Sequence, residues 1–143
     1  MRYMTADYIF PISSPPIKNG VIVVDDHDKI MEVFSQLTTS NFPVPIPSEK
    51  LQTFKGIICP GFINSHCHLE ISHMKGMISE KTGLSGFISE FLQKRNLAEE
   101  TNLQEKIIEA ENEMVANGIV AVADISNNDS TFSQKEKSNL LFL

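Results

Sequence analysis

The chain has 143 residues, 41% of them hydrophobic, with 12 basic and 18 acidic side chains for a formal net charge of −6. That acidic balance argues against nucleic acid or an anionic membrane as the main partner, and no run of 18 apolar residues could span a bilayer. Two cysteines, Cys59 and Cys67, without a CxxC spacing exclude a disulfide framework and fit a reducing, cytoplasmic compartment.

The first third reads as β. Arg2 to Phe10 alternates loosely through Tyr3, Tyr8 and Phe10 and stops at Pro11. Ser13-Ser14-Pro15-Pro16 is turn material. Asn19-Gly20 is a hairpin-type signal, and Val21-Ile22-Val23-Val24 follows as a short apolar strand. Asp25 to Lys29 is a polar turn, and Ile30 to Phe34 makes a third strand. Three short strands so close together predict a small antiparallel sheet. Between Leu37 and Lys50 the character changes: Phe42-Pro43-Val44-Pro45-Ile46-Pro47 places proline at every second position. Such a segment cannot donate a full ladder of hydrogen bonds and is expected to be an edge or a linker.

From Phe54 onward the pattern is α/β. Ile57-Ile58 and Phe62-Ile63 flank Pro60-Gly61 and run into His66-Cys67-His68, a buried strand with a polar end. Lys75 to Gly83 reads as a loop. Leu84, Phe87, Ile88, Phe91 and Leu92 fall on one helical stripe, expected to pack on a barrel. A second helix is expected from Asn102, with Glu105 three residues on as a capping box and Leu103, Ile107, Ala110 and Met114 as its apolar stripe. Asn117-Gly118 is a stop signal. Ile119 to Ala123 is the continuous apolar run of a parallel strand covered on both faces. Strand, helices and strand make a βαβ unit. Gln134 to Asn139 either opens another helix or leads into Leu140-Leu141-Phe142-Leu143. A bare apolar ending is unusual unless the segment docks, so the chain is expected to be the front part of something longer.

The chemistry concentrates at His66 and His68. Residues i and i+2 of a strand share a face, so the spacing presents two imidazoles side by side, and neutral imidazole is a favoured ligand for zinc or ferrous iron. The polar end of a parallel strand is where α/β folds place active sites. Cys67 points to the opposite face and is expected to pack as a small apolar group, which makes a structural zinc site of Cys59, Cys67, His66 and His68 geometrically poor. There is no Walker A loop, no GxGxxG, no Gly-x-Ser-x-Gly elbow and no His-x-Glu with Pro-Cys-x-x-Cys.

Unbroken from Pro60 to His68, the motif Pro-Gly-Phe-Ile-Asn-x-His-x-His resembles the first barrel strand of the amidohydrolase superfamily. Leu69-Glu70-Ile71-Ser72-His73-Met74-Lys75-Gly76 is similar to its deaminase and chlorohydrolase branch, in particular to enzymes of aminodeoxyfutalosine- or adenosine-deaminase type. The resemblance implies the N-terminal part of a small β-sandwich over residues 1–55. It implies the first βα units of a (β/α)8 TIM-type barrel over 56–143. A full barrel takes about 250 residues, so two strands and the start of a third are expected here. The implied activity is metal-dependent hydrolytic deamination of an amino-substituted heterocycle or nucleoside by a metal-activated water. The cofactor is a divalent metal, zinc first and iron second. His66 and His68 are the implied ligands, Glu70 and His73 the implied substrate contacts.

Each of these has a plainer alternative: a solvated loop carboxylate for Glu70, a loop histidine for His73. Asp124 is read as a rim or helix-capping residue, and His27 as an exposed turn residue. The superfamily's remaining ligands, base and acid come from later strands, so no catalytic residue is identifiable within the chain. The implied partners are a small-molecule substrate and possible further copies of the chain, with neither nucleic acid nor membrane. Two alternatives stand beside this reading: a catalytically inert or partner-dependent chain, and a cyclic amidase of the same superfamily.

Overall fold

A computed structural model describes residues 1–35, 46, 48–95 and 102–143. The chain divides into two compact units, Met1–Pro60 and Gly61–Leu143. The proline-alternating segment falls almost wholly outside the described residues, and its expected edge or linker role with it.

The first unit is built from short strands: β1 (Arg2–Thr5), β2 (Tyr8–Ile9), β3 (Ile17–Lys18), β4 (Val21–Val24), β5 (Ile30–Phe34), β6 (Leu51–Thr53) and β7 (Ile57–Ile58). They form two sheets, of order β5-β4-β1-β6 and β3-β2-β7. Three legs of chain each run through both sheets: β1 into β2, β3 into β4, and β6 into β7. Backbone bonds hold the crossing points, Phe54 N–H to the Thr5 carbonyl (2.9 Å), Tyr8 N–H to that of Gly56 (3.1 Å) and Asn19 N–H to that of Asp7 (3.1 Å).

Asn19-Gly20 is therefore a crossing between sheets and not the expected hairpin. Asn19 takes a positive φ of 51°. Gly20 is buried where a Cβ would lie 2.9 Å from the Phe34 carbonyl oxygen. The hairpin sits one strand later, between β4 and β5. There the Asp25 carboxylate accepts the His27 and Lys29 amides, both at 2.9 Å, and Asp28 supplies the positive φ of 63°. The three strands expected to form an antiparallel sheet, β1, β4 and β5, do so, and β6 joins β1 in parallel at the edge. Ile9, Ile22 and Val24 are the buried core, with Met4, Ile17, Val33 and Ile58 packed around them.

The second unit is α/β. Its strands β8 (Phe62–Cys67), β9 (Ile119–Asp124) and β10 (Leu141–Phe142) form a parallel sheet in the order β10-β9-β8. Between β8 and β9 come a 3-10 stretch (Leu69–Met74), helix α1 (Gly83–Lys94) and helix α2 (Leu103–Ala116); helix α3 (Phe132–Lys135) precedes β10. Three successive parallel strands joined through helices are the βα pattern read from the sequence.

Helix α2 buries Ile107 fully and ends at Gly118, whose φ of 78° is the left-handed stop. Its expected capping box is not made. Asn102 has φ −121° and ψ 14° and no side-chain cap bond, because a cap needs an extended ψ to swing its oxygen over the first turn.

Two burial expectations change. β8 is an edge strand, and Phe62 and Ile63 are 59% and 65% exposed. β9, in the middle, buries Ala121 and Val122 but leaves Val120 exposed. Helix α1 fully buries no residue: Phe91 is half-buried, and Leu84, Phe87, Ile88 and Leu92 of its apolar stripe stay exposed. At the start of β8, Gly61 is required by packing: a Cβ there would come within 2.2 Å of the Val120 side chain.

Candidate functional site

The carboxyl ends of β8 and β9 bring the polar residues of the second unit together. Both strands point the same way, so the chain leaves them side by side, and residues 66–70 lie against 124–128. Open parallel sheets bind ligands at this end.

The rings of His66 and His68 stand with centroids 5.0 Å apart and planes at 83°. This is the side-by-side pair that the i, i+2 spacing of a strand produces. His66 is exposed and His68 partly buried. His68 Nδ1 lies 3.0 Å from the Ile125 carbonyl oxygen. A carbonyl only accepts, so the proton of the neutral ring sits on Nδ1 and the lone pair on Nε2. Among the described residues no group of three or more His, Cys, Asp or Glu side chains could hold a metal ion.

Glu70 is 6% exposed. One carboxylate oxygen accepts the Asn127 and Asn128 amides at 2.7 and 3.2 Å, and the other accepts Asn127 Nδ2 at 2.6 Å. A buried carboxylate is tolerable only when its charge is met by donors in this way. His73 lies in the last turn of the 3-10 stretch, half-buried, and its Nδ1 is buried with no hydrogen-bond partner among the described residues. A cleft of about 320 Å³ opens beside His68, lined among others by Ile71, Ser72, Met74, Lys75 and Phe87. His27 belongs to the first unit, in the exposed turn between β4 and β5.

Asp124 ends β9 with a fully buried side chain. It accepts the Leu69 amide at 2.7 Å and the Ser126 hydroxyl at 2.9 Å, and it pairs with Lys135 at 2.5 Å. Burial pushes its carboxyl up, but the Leu69 N–H, Lys135 and Ser126 outweigh that and hold it below the usual carboxylate range. The same burial, with the negative charge of Asp124 beside it, pushes the Cys67 thiol up. Cys67 is therefore a half-buried neutral thiol next to an ion pair, and not simply an apolar packing group.

Lys135, Ser126 and Asn127 escape sequence reasoning. They lie in stretches read only as a loop and an optional helix. The one available signal was the Asn127-Asn128-Asp129-Ser130 cluster itself, directly after a strand that ends in Asp124.

No protein-family model matches the chain, and no curated protein matches it. Solved structures do. The chain is similar to aminofutalosine deaminase from Helicobacter pylori, solved with methylthio-coformycin, with a TM-score of 0.79 and 24% identity over 99% of this chain and 34% of that one. It is similar to guanine deaminase from C. acetobutylicum, with bound guanine, at a TM-score of 0.67 and 22% identity over 99% and 35%. It is similar also to the zinc complex of atrazine chlorohydrolase from Arthrobacter aurescens, at 0.67 and 19% over 99% and 34%. The likeness is thus to two deaminases and a chlorohydrolase. It establishes the fold, and the chain spans about a third of the length of each.

Proposed function

We propose that this chain carries the first two metal ligands of an amidohydrolase-type active site, and that the site performs hydrolytic deamination of an amino-substituted heterocycle or nucleoside. The observation that carries the reading is the His66–His68 pair, with rings 5.0 Å apart at the carboxyl end of a parallel strand, in a fold shared with deaminases.

The donor set fits half of such a site. Catalytic zinc takes three protein ligands and keeps a position open, and the described residues offer two imidazoles. The bond from His68 Nδ1 to a backbone carbonyl is the outer partner that metal-bound histidines commonly have, and it leaves Nε2 as the donor. A bound divalent ion, zinc first and iron second, would supply the Lewis acidity that makes water nucleophilic near neutral pH. Further ligands and the proton-transferring groups would come from polypeptide beyond the described residues, in cis or from a partner copy. That two-donor count also favours the second reading, in which this polypeptide by itself is inert and works only with a partner.

His66 and His68 hold one wall of the site. The cleft beside His68 is mostly apolar and suits a flat heterocycle. His73, the other expected substrate contact, keeps its Nδ1 buried behind the cleft wall, and Glu70 contributes through the loop that it holds. Purified from its own cells with whatever polypeptide accompanies it, the protein should release ammonia from at least one amino-substituted purine or nucleoside. Activity should require zinc or iron and disappear in His66→Ala. Ammonia release unaffected by that substitution would contradict the proposal.

A further inference from the structure

We infer that Glu70 is a positioning residue for His68: its carboxylate holds the Asn127–Asn128 turn, and through that turn the Ile125 carbonyl that fixes the imidazole. The inference rests on the reading of His68 as a metal ligand, and it assigns a device that selects which ring nitrogen is free.

Three consecutive residues after β8 are each tied to the segment after β9. His68 bonds the Ile125 carbonyl at 3.0 Å, the Leu69 amide bonds Asp124 at 2.7 Å, and Glu70 takes three donors from Asn127 and Asn128. The Ile125 amide returns a bond to the Cys67 carbonyl at 2.9 Å. Ile125 is thus held on its amide side by the ladder and, two residues on, by Glu70. These bonds on either side aim its carbonyl at His68.

The neutral histidine side chain in water prefers its proton on Nε2. Here the fixed carbonyl demands it on Nδ1. Without the clamp, the turn at Asn127 would be an exposed loop, and the carbonyl would lose its aim. Glutamine at position 70 removes the charge and one of the two accepting oxygens. Its Oε1 can still accept the backbone amides, but the Asn127 carboxamide must then turn over to accept from the glutamine Nε2, so the charge-assisted clamp is weakened.

The test uses the chain with ¹⁵N-labelled histidine and the variants Glu70→Gln and Asn127→Ala. In the unaltered protein His68 should show a protonated Nδ1 and a lone-pair Nε2. In Glu70→Gln its two nitrogens should move toward the averaged values of exchanging tautomers, while the His66 signals stay in place. Zinc titration should show a dissociation constant raised roughly tenfold, the lower end of what outer partners contribute. Asn127→Ala removes one donor of three and should move the same signals by less; it decides the matter if Glu70→Gln fails to fold. A His68 tautomer unchanged in whichever variants fold, or already on Nε2 in the unaltered protein, would overturn the inference. If the tautomer shifts as expected but the unaltered protein takes no zinc, the positioning role stands and the metal reading falls.

Discussion

The two units of this chain bury different things. In the first, the buried side chains among the described residues are Ala6, Ile9, Val21, Ile22, Val23 and Val24, with Thr5 as the one polar member and no buried charge. In the second, Ile107 and Val122 share the interior with Glu70, Glu111 and Thr131, and the Asp124 side chain is closed off completely. Glu111 is met by Gln134 at 2.8 Å and Ser138 at 2.5 Å. Apolar burial is non-directional and tolerant of small shifts, whereas a buried carboxylate is satisfied only in one geometry. The first unit is therefore built for cohesion, and the strand ends of the second for exact placement of backbone and side chains.

The difference can be broken from either side. The largest effect is expected for Asp124→Ala, which leaves Lys135 largely buried without its partner and the Leu69 amide without an acceptor; it should cost about 4 kcal/mol. Among the described residues the three α-helices lie in the second unit, so urea unfolding followed by helical circular dichroism reads it. Ile9→Ala, in the first unit, should cost about 3 kcal/mol by cavity formation. Both tyrosines, Tyr3 and Tyr8, lie in that unit and tryptophan is absent, so tyrosine fluorescence reports it directly. If Asp124→Ala were as mild as a surface change, the contrast between the units would be wrong.

Gly61→Ala tests a finer point. The added methyl meets the Val120 side chain, and the β8–β9 register must give or Val120 must turn, at about 2 kcal/mol. Amide exchange along β8 should rise before any helical signal is lost. Smallest is the pH response of Glu90. Its carboxyl is held at about 2 against an ordinary 4.5, first by Lys94 and then by the Ser79 amide and hydroxyl. The folded value is the lower one, so this anchoring of α1 is fully present above pH 4.5 and is lost as pH falls through about 2. Carboxyl NMR should give a Glu90 midpoint near 2; a midpoint near 4.5 would remove the anchor.

Much of this was legible in the sequence where one periodicity dominates. β4 and β9 follow from unbroken apolar runs, β5 from an apolar stretch interrupted only by Glu32, α2 from its stripe and from Gly118, and the paired imidazoles from an i, i+2 spacing at the end of a strand. What stayed hidden depends on partners remote in sequence. Asn19-Gly20 is a good hairpin turn by itself, and only the Phe34 carbonyl packed on Gly20 makes it a crossing. Glu70 reads as a loop acid, because its three donors lie 57 and 58 residues away. Phe62 and Ile63 read as buried because apolarity predicts burial, and yet β8 lies at a sheet edge. The apolar stripe of α1 is correct as a helix pattern but says nothing about what it meets.

The most direct test of the central claim is metal content per chain after purification without chelator, from its own cells with whatever polypeptide accompanies it, with the double variant His66→Ala/His68→Ala beside it. The account predicts bound zinc or iron in the unaltered protein and its loss in the variant, with the fold kept. Equal metal content in the two proteins, whether high or nil, would contradict the assignment of His66 and His68 as ligands.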